Sequence, residues 1–79
     1  MMFSTAKVND WYMTSGKGLA KVAIIYKDTT GVIDSVDCIL GNELRIYTVD
    51  GTISSLNEGY DKFKIIYPMS IQDYPELYL

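Results

Sequence analysis

The pair Asp50-Gly51, set between Leu44–Val49 and Thr52–Leu56, narrows the fold more than any other feature of this chain. Both flanking runs alternate apolar and polar side chains, the period of a half-buried strand. Asp-Gly tolerates the positive φ angles of a type I′ turn, whose twist matches that of paired strands. The spacing therefore predicts a two-residue β-hairpin over residues 44–56, with Val49 opposite Thr52, Tyr47 opposite Ser54 and Ile46 opposite Ser55. In that register Leu44, Ile46 and Ile53 face the core.

Turn residues recur at short intervals on either side: Ser15-Gly16-Lys17-Gly18, Asp28-Thr29-Thr30-Gly31, Gly41-Asn42-Glu43 and Asn57-Glu58-Gly59. β-Branched and aromatic residues fill the gaps, the pattern of an all-β sandwich or barrel. Six strands are predicted. Val8 to Thr14 alternates imperfectly around Trp11 and Tyr12, and fits a strand or a short helix. Leu19 to Lys27 contains Val22-Ala23-Ile24-Ile25-Tyr26, a run apolar on both faces that suits a central strand covered on both sides. Val32 to Leu40 sets Val32, Val36, Cys38 and Leu40 on one face and Ser35 and Asp37 on the other, with Asp34 interrupting the apolar side. The hairpin supplies two more strands. Phe63 to Tyr67 is the sixth, and Pro68 marks its end or a sheet edge because proline cannot donate to a ladder.

With 79 residues the chain forms one small domain with a thin core. Five or six short strands of this length bury their apolar faces best by curling into a barrel. The strand count and spacing over residues 8–67, with Glu58-Gly59-Tyr60-Asp61 as a single helical turn before the last strand, resemble the SH3-like barrel. The aromatic motif and paired tryptophans of peptide-binding SH3 domains are absent, so their proline-rich ligands are not implied. An OB-fold and an Sm-like barrel are the alternatives. Residues 69–79 form a C-terminal tail rich in large apolar groups, expected to dock on the barrel or on a partner.

Cys38 is the one cysteine and there is no histidine, so an internal disulfide and an imidazole zinc site are both excluded. No cofactor or metal is expected. Nucleophilic catalysis lacks a histidine base, and Cys38 shares its side of the strand with Val36 and Leu40, which predicts a buried, inert thiol. The acids Asp28, Glu43, Asp50, Glu58 and Asp61 sit at turns, where carboxylates serve local backbone hydrogen bonds. The Gly16-Lys17 pair lacks the spacing of a phosphate loop. An enzyme is therefore not expected.

No apolar run reaches the roughly 20 residues that span a bilayer, and the first residues lack a signal-peptide pattern. A cytoplasmic location is the default. The net charge of −3 falls entirely in residues 41–79, which disfavours nucleic-acid phosphates and favours a basic protein partner. Seven tyrosines are more than a small barrel can bury. Tyrosine combines a rigid contact surface with a polar tip and is enriched at interfaces. Tyr26, Phe63 and Tyr67 are assigned to the core. Trp11, Tyr12, Tyr47, Tyr60, Asp61, Tyr74 and Tyr78 are the expected partner-binding residues.

The expected function is thus a non-catalytic protein-binding module. In size and character it resembles the small accessory proteins that bacteriophages make to bind and inhibit host factors, a comparison without a residue-level match. A single-stranded nucleic-acid-binding barrel and a structural subunit of a homo-oligomer or virion are the rival readings.

Overall fold

A computed structural model describes residues 2–16, 18–54 and 64–79. The predicted strand Thr52–Leu56 lies partly outside these residues; Phe63, Tyr60 and Asp61 lie wholly outside. The chain is all-β, as the turn spacing predicts. Its strands are β1 (Trp11–Thr14), β2 (Leu19–Lys27), β3 (Ile33–Leu40), β4 (Glu43–Thr48) and β5 (Ile65–Met69), followed by a 3₁₀ turn at Pro75–Tyr78. They form one antiparallel sheet in the order β4-β3-β2-β1-β5. The sheet is not closed, with β4 and β5 at its two ends. Pro68 lies in β5, an edge strand, where its missing donor is tolerated.

The inner face carries the core. Tyr12, Ala20, Val22, Ile33, Val36, Cys38, Leu40, Tyr47 and Ile65 are all buried there. Phe3, from the segment before β1, closes this core and has no exposed surface. Its ring centroid lies 4.7 Å from that of Tyr12 and 6.2 Å from that of Tyr47. The Phe3 N–H donates to the Val49 carbonyl at 2.9 Å, which ties the segment to the Asp-Gly turn.

That turn is not type I′. Gly51 has φ +88°, whereas Asp50 is not among the positive-φ residues. The Gly51 N–H donates to the Thr48 carbonyl and the Thr48 N–H to the Thr52 carbonyl, both at 2.9 Å. This is a three-residue loop, a type I turn followed by a left-handed glycine in a bulge. Tyr47 accordingly pairs with Ile53, one residue earlier than expected. A one-residue slip sends every side chain of a strand to the opposite face. Tyr47 is inside and Ile53, its partner, packs half-buried against the core as expected, while Leu44 is 52 % exposed and Ile46 only half-buried.

Two irregularities elsewhere act in the same way. Val22 pairs with Cys38 but Ile24 with Asp37, leaving Ala23 unpaired in β2. Tyr26 pairs with Ser35 and Lys27 with Ile33, leaving Asp34 unpaired in β3. The second bulge puts Ile33 in the core and leaves Val32 exposed, which corrects the face expected for Val32. Tyr26 and Tyr67, expected inside, are both about two-fifths exposed. Among the described residues no helix is long and apolar enough to cross a membrane.

Candidate functional site

Of the seven residues expected to form a binding surface, five are described, and two of these, Tyr12 and Tyr47, are buried. Tyr47 has no exposed surface and Tyr12 almost none, because the slipped hairpin and the parity of β1 both direct rings toward Phe3. Their assignment to an outward patch is corrected: both are core residues. Burial chiefly, with the Asp10 carboxylate nearby, pushes the Tyr12 phenol up to about 12. Tyr60 and Asp61 lie outside the described residues. Tyr74 is half-buried at the start of the 3₁₀ turn.

Trp11 and Tyr78 do come together, each bonding to the backbone of the other's segment. The Trp11 indole N–H donates to the Leu77 carbonyl at 2.8 Å, and the Trp11 backbone N–H donates to the Tyr78 hydroxyl at 3.1 Å. The Tyr78 hydroxyl in turn donates to the Met69 carbonyl. Lys21 Nζ stands 5.6 Å from the Trp11 ring, within cation–π range. Residues 70–79 therefore strap the outer side of β1 and β5. A cleft of about 250 Å³ opens beside this strap, lined by Trp11, Pro68, Ile71 and Tyr78 among others.

The remaining outer face, on β2, β3 and β4, carries a different set. Three cross-strand rows are defined by the register: Lys21–Ile39–Leu44, Ile24–Asp37–Ile46 and Tyr26–Ser35–Thr48. Ile24 is 47 %, Ile39 40 %, Leu44 52 % and Tyr26 44 % exposed. Scattered apolar side chains on a surface need no explanation, but neighbours on adjacent strands form a patch of the kind that marks interaction sites. Asp37 lies in the middle of it and is 95 % buried, its own exposure being 5 %. Its Oδ2 accepts a hydrogen bond from the Tyr26 hydroxyl at 2.8 Å, and this acceptor holds the Tyr26 phenol above its ordinary range. Asp37 Oδ1 is buried and has no hydrogen-bond partner.

Sequence reasoning missed this face. Ile24 belongs to a run apolar on both sides, which reads as a strand covered twice. Ile39 and Leu44 flank the Gly41-Asn42 turn and become outward neighbours only because the register pairs them. A usable signal was present in Asp37, a carboxylate in mid-strand among β-branched residues.

Other polar groups are spent locally. Asp28 Oδ1 accepts from the Thr30 hydroxyl at 2.6 Å and from the backbone N–H groups of Thr30 and Val32, contacts that lower its pKa, the hydroxyl bond most. Asp10 accepts from the Lys7 N–H at 3.0 Å. Arg45 and Glu43 form an ion pair at 2.8 Å on the inner side of β4. Among the described residues no group of three or more metal-ligating side chains converges.

Comparison with known proteins finds no matching family model, no matching curated protein and no matching solved structure.

Proposed function

We propose that this chain is a non-catalytic module that binds a protein on the outer face of β2, β3 and β4. The observation that carries this reading is the set Ile24, Ile39, Leu44 and Tyr26, large, exposed and neighbouring one another on three adjacent strands around the buried Asp37. Burying apolar surface yields about 25 cal/mol per Å², and the gain is realised when a partner covers the patch. A rigid sheet presents these groups with little ordering cost on binding.

The fold reading goes with it. A four-strand meander whose fifth strand returns beside the first is an order also found in SH3-like barrels, which supports reading this open sheet as a relative of that fold. The Ile65 N–H, from β5, donates to the Gly51 carbonyl beyond β4 at 2.8 Å, a contact between the two ends of the sheet that goes with such a fold. The sequence lacks histidine and the described acids Asp10, Asp28 and Glu43 are engaged in local bonds, which supports binding in place of catalysis. A lone thiol suits a reducing, cytoplasmic setting. By size and character the module fits an accessory protein of phage type, one that inhibits or modulates a host protein by covering it.

Leu44→Glu and Ile39→Glu test the reading, because each puts a charge within the patch without touching the core. Affinity capture from the native host with the unaltered protein is expected to recover one stoichiometric protein. Either variant is expected to lose it while melting within a few degrees of the parent. Capture that survives both substitutions would move the interface elsewhere.

A further inference from the structure

We propose that Asp37 is the specificity residue of this face and takes a lysine or arginine side chain of the protein partner, with Ile24, Ile39 and Leu44 holding apolar residues on either side of that cation. This inference rests on the docking face proposed above and names the chemistry of its occupant.

Asp37 sits in the central strand of the three, between Ile24 and Ile46 in the register. A carboxylate there contributes nothing to cross-strand packing between two isoleucines. Its Oδ2 has one donor, the Tyr26 hydroxyl, and its Oδ1 has none although it is buried. A buried acceptor without a donor bears its full desolvation cost, and the cost is larger for a charged group. None of the described cations forms an ion pair with it. Lys21 shares the outer face but extends to the Trp11 ring, and Arg45 is paired with Glu43 on the opposite side of the sheet.

A cationic donor fits this vacancy best. It neutralises the carboxylate as well as satisfying Oδ1, and charge-assisted bonds of this type are shorter and stronger than neutral ones. The chain's net charge of −3 steers a basic partner toward it. Oδ1 lies beneath the surface, so engagement requires a neighbouring side chain to move, a movement assigned to the Tyr26 ring, whose hydroxyl is on Oδ2. That ring is exposed, and one hydrogen bond to Asp37 ties its hydroxyl down. The surrounding apolar groups then exclude water from the new ion pair, the arrangement that makes an interface charge specific.

The probe is a random 12-residue peptide library displayed on phage and selected on the immobilised full-length protein. Enriched peptides are expected to carry Arg or Lys between apolar residues. Made synthetically, they are expected to bind Asp37→Asn and Leu44→Glu at least about tenfold more weakly, and to lose as much when citrulline replaces the arginine. Asparagine keeps an acceptor for Tyr26, so Asp37→Asn is expected to remain folded by circular dichroism; Tyr26→Phe, which frees Asp37, is expected to bind equally well or better. Peptides without a cation, or peptides sensitive to Leu44→Glu but indifferent to Asp37→Asn, overturn the role of Asp37 and leave the docking face standing. No enrichment, or binding indifferent to Leu44→Glu, removes the docking face and this inference together. A concentration-dependent dimer in sedimentation that Leu44→Glu abolishes assigns the face to a second copy and overturns the inference.

Discussion

Tyr47 shows how much a single side chain carries in a core this thin. It is one of the largest fully buried side chains, set against Phe3 and opposite Val36 on the inner face. Truncating a buried aromatic to alanine typically costs about 3–5 kcal/mol. A domain of this length has total stability of about 0.05–0.15 kcal/mol per residue, so Tyr47→Ala is expected to be largely unfolded at 37 °C in a thermal melt; a midpoint close to the parent's would take Tyr47 out of the core. Cys38 gives a second prediction at this scale. Burial first, and the neighbouring Asp37 second, push its thiol from an ordinary 9.0 up to about 12. In the fold the proton stays on, whereas the unfolded thiol releases it near pH 9. The folded state therefore binds more protons between these values, and the stabilisation present below pH 9 is lost as pH rises toward 12. Tyr12, raised from 10.0 to about 12, adds to the same decline. Melting temperature is expected to fall between pH 8 and pH 10.5, with a shallower slope in Cys38→Ala, and a disulfide reagent at pH 8 should label Cys38 only as fast as the protein opens.

At the scale of elements, turns decide which face each strand shows. Gly51 and Gly31 both have φ near +87°, so alanine is strained at either, by about 1–2 kcal/mol. They differ in surroundings. A Cβ on Gly51 would stand 3.2 Å from Ile65 Cβ and 3.3 Å from Met2 Cβ, whereas one on Gly31 would meet nothing within 4 Å. Gly51→Ala is expected to lower the urea midpoint clearly more than Gly31→Ala; equal losses would mean that the hairpin tip is not clamped between Met2 and Ile65. The same turn marks the boundary of what the sequence discloses. Its position was legible, as were β2 from Leu19 to Lys27 and the edge placement of Pro68, because glycine, proline and β-branched residues act locally. The number of loop residues was not, since Asp-Gly serves a type I′ turn and a type I turn with bulge equally. That ambiguity of one residue reversed Tyr47 and Leu44. The bulges at Ala23 and Asp34 leave no local trace, and Phe3 belongs to no periodic run. Of the candidate site, the involvement of Trp11 and Tyr78 in one contact was within reach, but the Ile24, Ile39 and Leu44 face depends on long-range register.

Across the whole molecule the two terminal segments do opposite work. Residues 2–6 enter the inner side, where Phe3 and Ala6 are buried and the Phe3 N–H is bonded to Val49. Residues 74–79 lie on the outer side, where the 3₁₀ turn buries no residue and is held through Trp11 and Met69. A segment attached by a few hydrogen bonds, each worth about 0.5–1.5 kcal/mol net, opens well before the sheet does. Deleting residues 74–79 is therefore expected to lower stability by about 1–3 kcal/mol and leave the transition cooperative. The one tryptophan reports the event directly: losing the Leu77 carbonyl and the Tyr78 hydroxyl brings water to the Trp11 indole, so its emission should shift to the red in the folded state. Removing residues 2–6 takes the central ring out of the core, and Tyr12 and Tyr47 both lose the ring packed against them. That variant is expected to show no cooperative melt at all. Neither truncation touches Ile24, Ile39 or Leu44, so the tail deletion should keep partner binding at the parent's affinity. Weakened binding there, with the fold intact, would instead put the contact on the Trp11 side of the sheet.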